Sequence, residues 1–343
     1  MQPPCHVLLL SDGRPGHYRQ SEAIVQALGR SRSVTVDRID LTFRPFIRKS
    51  LIPRLARVLP PRLFLRLVHG SDPSRIRKPD LIVSAGGTTI GANAALACLL
   101  GSANVFCGSM RGLDSEAFSL ILLPYPSAAG LKRVAVLPKP TKLDPDTLPV
   151  PRPLSTNADL DGARACILIG GPTPTAAFGA RDWDDLARLI TMLSRDHHMA
   201  VTVVTSRRTP VEAYAVLDRL RGSDETLLTL VDHRAGSGGT IEEAIGAADL
   251  VFVTADSMSM MTEAALSRRP AIALYPRERQ SHRDDEAVDD LRHRGLLATT
   301  ALDAIEGVDL TALIGGLSPM RTNHLDDLAT VVLDAIARQD GKR

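Results

Sequence analysis

Leu250-Val251-Phe252-Val253-Thr254-Ala255-Asp256-Ser257-Met258-Ser259-Met260-Met261-Thr262-Glu263-Ala264-Ala265 decides the fold. A short run of β-branched and aromatic residues gives way to a loop of small, hydroxylated and acidic residues, and a helix-like stretch follows. Such a run reads as a fully buried strand of a parallel sheet, and the stretch after it as a crossover helix.

The same alternation recurs on both sides. Upstream in this half lie the strand candidates Ala165–Ile169, Ala200–Thr205 and Leu227–Val231, and downstream Ala271–Tyr275. Helical segments such as Trp183–Ser194, Pro210–Leu220 and Ile241–Ala247 separate them. The first half repeats the pattern with Val7–Leu10, Val34–Ile39, Leu81–Ser84, Asn104–Phe106, Leu120–Leu123 and Val134–Leu137. Between them Pro145, Pro149, Pro151 and Pro153 stand among polar residues and mark a semi-rigid connector. The expected organisation is a Rossmann-like domain over 1–143, a linker over 144–162, a second Rossmann-like domain over 163–320 and a terminal helical segment over 321–343. Which domain that segment joins is left open. A chain of 343 residues exceeds one ordinary core, and two doubly wound α/β domains imply a cleft.

Composition narrows the function classes. With 44% hydrophobic and 23% charged residues the chain is globular, and a net charge of +2 argues against nucleic-acid binding through overall charge. Cys5, Cys98, Cys107 and Cys166 are far apart and read as buried thiols of a reducing compartment. No clustered Cys and His suggests a metal site. No basic-plus-apolar leader and no membrane-length apolar run appear, so the expected address is the cytoplasm.

Doubly wound sheets bind ligands beyond the carboxyl ends of their strands, so chemistry is sought in the loops there. After the first strand comes Ser11-Asp12-Gly13-Arg14-Pro15-Gly16-His17, with a helix expected to open near Gln20. Gly13 and Gly16 permit a tight turn, and His17 offers an acid, a base or a hydrogen-bond donor. The string is neither a dinucleotide fingerprint nor a P-loop, and it also serves as a plain turn capped by Asp12. Ser84-Ala85-Gly86-Gly87-Thr88-Thr89, before a small-residue helix Ile90–Leu99, suits an acceptor substrate or tight helix packing equally. In the second half, Gly170 and Gly171 let a phosphate approach the backbone. Thr205-Ser206-Arg207-Arg208-Thr209 adds hydroxyl donors and a guanidinium fork for a diphosphate. The helix opening near Ser257 offers free N–H groups that, with the hydroxyls of Ser257 and Ser259, suit a phosphate. Glu263, roughly 6 Å further along the axis, is placed for ribose hydroxyls. The alternative is that Asp256 or Ser257 caps the helix and Glu263 is solvated.

These loops, in this order, resemble the GT-B glycosyltransferases, especially the family that adds N-acetylglucosamine to lipid-linked peptidoglycan precursors. More closely, the Asp12–His17 string with Gln20, Ile169-Gly170-Gly171-Pro172, Thr205–Thr209 and Thr254–Met260 resemble the ELM1-like family. Bacterial members of that family are regarded as glycosyltransferases, and its plant branch is associated with mitochondrial fission. The resemblance implies two Rossmann-like domains facing across a cleft. It also implies metal-independent transfer of a hexosyl or N-acetylhexosaminyl group from a nucleotide-diphosphate sugar, with no cofactor. Gly170, Gly171, Thr205, Ser206, Arg207, Arg208, Asp256, Ser257, Ser259 and Glu263 would bind the donor. His17, or Asp12, would be the base, and Gly13, Arg14, Gly16, Gly86, Gly87 and Thr88 would form the acceptor-side loops. Arg14 and Pro15 replace the small residues of the peptidoglycan enzymes, so their acceptor is not implied.

From Leu41 to His69 there are seven Lys or Arg and no acid, interleaved with apolar residues. Such a stretch suits an anionic membrane surface, here the inner membrane, and with it a lipid-linked or polysaccharide-linked acceptor. It also suits a surface crossover packed on its domain, broken into short helices by Pro53, Pro60 and Pro61. Two other functions share the pattern: a nucleotide-sugar epimerase of the same fold, and a non-catalytic membrane-peripheral scaffold.

Overall fold

The structure, a computed structural model, describes residues 4–340 except 71–72, 174–175, 224–225 and 237–238. The ends of the expected terminal segments, 1–3 and 341–343, thus lie outside the described residues. The chain divides into two compact units, residues 1–142 with 324–343, and residues 143–323.

Unit 1 is a six-stranded sheet of β1 (Cys5–Ser11), β2 (Val34–Asp40), β3 (Leu81–Ala85), β4 (Ala103–Cys107), β5 (Leu120–Leu123) and β6 (Val134–Val136), ordered β2-β1-β3-β4-β5-β6. Every pairing is parallel, so each strand must be reached by a crossover, and β1, β3, β4 and β5 are buried throughout. The crossovers use α1 (Pro15–Gly29), α2 (Ile52–Val58), α3 (Pro61–Phe64) and α4 (Ile90–Leu100). α1 opens at Pro15, well before the expected Gln20, because proline at the first helical position has a preset φ and no N–H to leave unpaired. His17 therefore sits in the first helical turn and not in a loop.

Unit 2 begins with α5 (Asn157–Leu160), β7 (Arg164–Leu168), α6 (Ala180–Asp196), β8 (Ala200–Val204), α7 (Val211–Arg221), β9 (Leu228–Val231) and α8 (Ile241–Ala247). It continues with β10 (Leu250–Thr254), α9 (Met258–Leu266), β11 (Ala271–Tyr275), α10 (Asp284–His293), β12 (Ala298–Ala301) and α11 (Leu310–Gly315). The order β12-β11-β10-β7-β8-β9 is again wholly parallel. Trp183, Leu186, Leu189, Ile190 and Leu193 of α6 lie on one helical face and pack on β7 and β8. The proline-rich stretch is fastened to this unit. Arg269, fully buried, donates to the carbonyls of Pro149, Gly246, Ala248 and Ser267 at 2.7–2.9 Å, and Asp249 accepts from the backbone N–H of Arg152 at 2.9 Å.

The last helix, α12 (His324–Asp340), belongs to unit 1, where Leu325, Leu328, Val332 and Ile336 pack with Cys5, Leu9, Ile24 and Leu28. Burying such a side chain contributes about 1.5–3 kcal/mol, which a surface ion pair such as Arg30–Asp326 does not approach.

In each sheet the strand order reverses direction at one point, between β1 and β3 in unit 1 and between β7 and β10 in unit 2. Strands on either side of such a point send their crossovers to opposite faces, leaving a crevice at their carboxyl ends.

Candidate functional site

The loops after β1 and β3 converge on one carboxylate. Asp12 has a side chain only 2% exposed and accepts hydrogen bonds from Arg14 N–H (3.2 Å), from His17 Nδ1 (3.0 Å) and from the Thr88 hydroxyl. Burial works to raise its carboxyl. The Thr88 and His17 hydrogen bonds, with the His17 charge, outweigh burial and hold Asp12 below the usual carboxylate range. An ionised carboxylate only accepts, so His17 must carry a proton on Nδ1, and in the neutral form of the ring it is Nε2 that presents a lone pair. Gly86 (φ +89°) is required beside it, because a Cβ there would overlap the imidazole. Gly13 (φ +76°) makes the turn after Asp12, while Gly16, already helical, faces open space, and Arg14 is exposed.

In unit 2 the loops after β7, β8 and β10 meet through backbone groups. Gly170 N–H donates to Thr254 Oγ1 at 2.8 Å and Gly171 N–H donates to Asp256 Oδ2. A Cβ on Gly170 would overlap the Asp256 carboxylate, and one on Gly171 the Arg208 backbone. The hydroxyls of Ser206 and Thr209 donate to the Gly170 carbonyl at 2.6 and 2.8 Å. Thr205 Oγ1 is saturated, accepting from Tyr214 OH and His233 N–H at 2.9 Å and donating to Val231 O. Thr205 and Ser206 thus shape the loops. Arg208 donates to the Gly171 carbonyl at 3.2 Å, whereas Arg207 is exposed and has no partner among the described residues. Burial pushes the Asp256 carboxyl up against the pull of Thr254 and Gly171, and its Oδ1 is buried with no hydrogen bond. α9 starts beyond Ser257, whose side chain makes no cap, and Asp256 makes none either. Ser259 is exposed at its first turn, and Glu263 is 9% exposed, so it is not a solvated helical residue.

Residues 15–336 match the family described as mitochondrial fission ELM1. The chain belongs to that family. No curated protein matches it. Solved structures similar to this ELM1-family chain include a Listeria monocytogenes protein provisionally assigned as a UDP-N-acetylglucosamine 2-epimerase (13% identity, 99% of this chain and 98% of that chain covered, TM-score 0.59). Another is the UDP-GlcNAc 2-epimerase from Neisseria meningitidis bound to UDP-GlcNAc (12%, 97% and 100%, TM-score 0.54). A third is the glycosyltransferase SnogD from Streptomyces nogalater (13%, 98% and 96%, TM-score 0.52). At these identities the likeness is one of fold, the two doubly wound units of the GT-B type.

Three features of the ELM1-family chain were not legible as site residues. Arg111 follows β4 with φ +52°, and a Cβ on Gly87 would lie 3.0 Å from its Nε, so a cation with no partner among the described residues stands over the Gly86–Thr88 loop. The loop after β11 supplies Tyr275, Arg279 and His282 to a cavity of about 260 Å³ that also touches Asp256. Arg279 lies 4.3 Å over the Tyr275 ring. The rule that sites lie at strand ends points to both loops; the loop after β4 also carries Gly108, Ser109 and Gly112, whereas the loop after β11 has no glycine and only Ser281 as a hydroxyl residue. Cys98 corrects the expectation of buried thiols, since it lies on the outer face of α4 and is exposed while Cys5, Cys107 and Cys166 are buried. Among the described residues no group of three or more His, Cys, Asp or Glu could hold a metal, and no helix is long and apolar enough to cross a membrane.

Proposed function

We propose that this protein transfers a hexosyl or N-acetylhexosaminyl group from a nucleotide-diphosphate sugar to an acceptor hydroxyl. The observation that carries the reading is the Asp12–His17 pair at the switch point of unit 1, a buried carboxylate fixing the tautomer of a histidine whose second nitrogen has no partner among the described residues. In this reading His17 Nε2 takes the acceptor O–H proton as the new bond forms at the anomeric carbon. The bond to the diphosphate breaks, and its electron pair leaves with the nucleotide. Asp12 stabilises the resulting imidazolium, as a buried carboxylate behind a catalytic histidine does.

The donor is assigned to unit 2. Gly170 and Gly171 admit the diphosphate to the backbone, with Asp256, Thr205, Ser206 and Arg208 holding the wall in place. Arg207 and the uncapped start of α9, with Ser257 and Ser259, meet the charge that develops on the leaving group. The chain's own groups do that work in this reading, without a metal. Glu263 accepts from the ribose hydroxyls. Gly13, Arg14, Gly16, Gly86, Gly87 and Thr88 frame the acceptor, which is lipid- or polysaccharide-linked. The stretch 41–69 supports contact with an anionic membrane surface, because Phe46, Leu51, Val58, Leu63 and Leu67 are exposed among its cations while Ile52, Phe64, Leu65 and Val68 pack on the sheet.

The test is a thermal-shift series with UDP, GDP, ADP, CMP and their sugar conjugates, repeated on Glu263→Ala. A ligand that binds only the folded state raises the melting temperature. One nucleotide should raise it selectively and lose the effect in the variant. No rise with any of them removes the donor site. A second reading, epimerisation of the donor sugar, is favoured by the fold shared with UDP-GlcNAc 2-epimerases. Incubating donor alone separates the two, because only an epimerase gives product without an acceptor.

A further inference from the structure

Unit 1 contains a cavity of about 580 Å³, within the range of roughly 300–1,000 Å³ of small-molecule pockets, that the proposed transfer chemistry does not use. Its floor is one face of α4, from Gly91 through Ala94 to Cys98, about 10 Å along the helix at 1.5 Å per residue. Its walls carry Phe64, Leu113 and Phe118. The floor is low because the helix has small residues there. At the Gly91 end the groove is closed, because Phe64 and Ala56 pack so tightly there that a Cβ on Gly91 would come within 2.6 and 2.7 Å of them. α4 itself is fixed, because Asn93 donates to Ser84 Oγ and Val105 O and accepts from Asn104.

The charges around the cavity are uneven. Its acids are engaged, Asp114 with the Glu116 N–H at 2.9 Å and Glu116 with Lys132 at 3.6 Å. Arg133 is spent on the carbonyls of Glu116 and Phe118. Arg57, on the rim, is exposed and has no carboxylate partner among the described residues. Ala56, Arg57, Pro61 and Phe64 come from the stretch 41–69, so the cavity is walled by the segment that holds seven cations, no acid and the exposed apolar side chains. The upper end of α4 begins at the Gly86–Thr89 loop.

From this elongated apolar floor, its unpaired cation and its continuity with the basic segment, we infer that the groove along α4 seats the hydrocarbon chain of a lipid phosphate. This makes the acceptor lipid-linked, and in that respect it rests on the proposed transferase reading. Binding of the chain itself needs no turnover.

Cys98 provides the readout. It is the exposed thiol among otherwise buried ones, and burial pushes Cys107 and Cys166 up to about 12, where thiolate is scarce at neutral pH. Maleimide labelling of Cys98 in the full chain is followed by mass spectrometry with farnesyl phosphate, kept below its aggregation concentration, or with inorganic phosphate. Farnesyl phosphate at ten times its Kd should slow labelling about ten-fold, since mass action leaves roughly a tenth of the sites open. Inorganic phosphate should leave the rate unchanged. Ala94→Trp, which fills the groove, should abolish the protection, and Arg57→Glu, at an exposed position that does not threaten folding, should weaken it. An unchanged labelling rate with farnesyl phosphate, or full protection in both variants, overturns the inference. The nucleotide thermal shift on the same preparation separates the two readings. A shift without protection overturns the groove alone, and protection without a shift overturns the transferase alone.

Discussion

Asp12 and Asp256 each follow a strand beside the switch point of its own sheet, and both are buried, yet they do opposite work. Asp12 gathers three donors, two of them side chains, stays ionised and orients a histidine. Asp256 fastens the Gly171 backbone with one oxygen and leaves the other buried and unpartnered, so burial pushes its carboxyl up. The same residue type therefore becomes a charge reservoir or a structural clasp according to how many donors the loop geometry brings to it.

The largest expected effect of breaking this comparison is His17→Ala. Turnover should fall about 10²–10⁴-fold, the range for a lost general base, with the nucleotide thermal shift unchanged. Steady-state kinetics beside melting curves would show it, and loss of both together would end the division of labour between the two clusters. Next, Gly171→Ala drives a methyl into the Arg208 backbone and should cost about 1–3 kcal/mol in denaturant unfolding while erasing the nucleotide shift. An unperturbed variant would mean that the loop is slack.

Asp256→Ala strands the Gly171 N–H and should cost about 1–3 kcal/mol, whereas Asp256→Asn keeps an acceptor and should be neutral or stabilising at pH 7. The pH dependence sharpens the contrast. A raised carboxyl contributes stability that is full below the ordinary carboxylate range and is lost as pH rises through its folded value. A depressed one contributes stability that is present above that range and is lost as pH falls through its folded value. Melting curves should therefore show Asp256→Asn removing the loss of stability that sets in as pH rises above the ordinary carboxylate range, and Asp12→Asn removing the loss that sets in as pH falls below it. The smallest effect separates the two arginines. Arg207→Ala should weaken nucleotide binding about ten-fold, roughly 1.4 kcal/mol, without altering the melting temperature, whereas Arg208→Ala, which loses its bond to Gly171, should lower it.

Most elements were readable because buried parallel strands are apolar runs of limited length, and Leu250–Thr254, Ala271–Tyr275 and Ile241–Ala247 stand as read. β12 escaped because Ala298–Ala301 is an edge strand with two threonines and no apolar run. The helix start at Pro15 escaped because the glycines flanking it look like a loop. Within the site, strand-end loops were visible as composition, but convergence was not. Thr88 meets Asp12 across 76 positions and Asp256 meets Gly171 across 85, pairings that only the strand order creates. Which hydroxyls are saturated, as at Thr205, and which guanidinium has no partner among the described residues, as at Arg207, depends on contacts that local sequence does not encode.

The return of α12 to unit 1 has a consequence for synthesis. Leu325, Val332 and their neighbours close an apolar face formed by Cys5, Leu9 and Ile24, but they are translated only after the whole of residues 143–323. At about 5–20 residues per second the ribosome leaves that face uncovered for on the order of ten to thirty seconds. The first unit begun is thus the last completed, and the nascent chain passes through an interval in which unit 2 is free to finish folding while the face of unit 1 that receives α12 is still open.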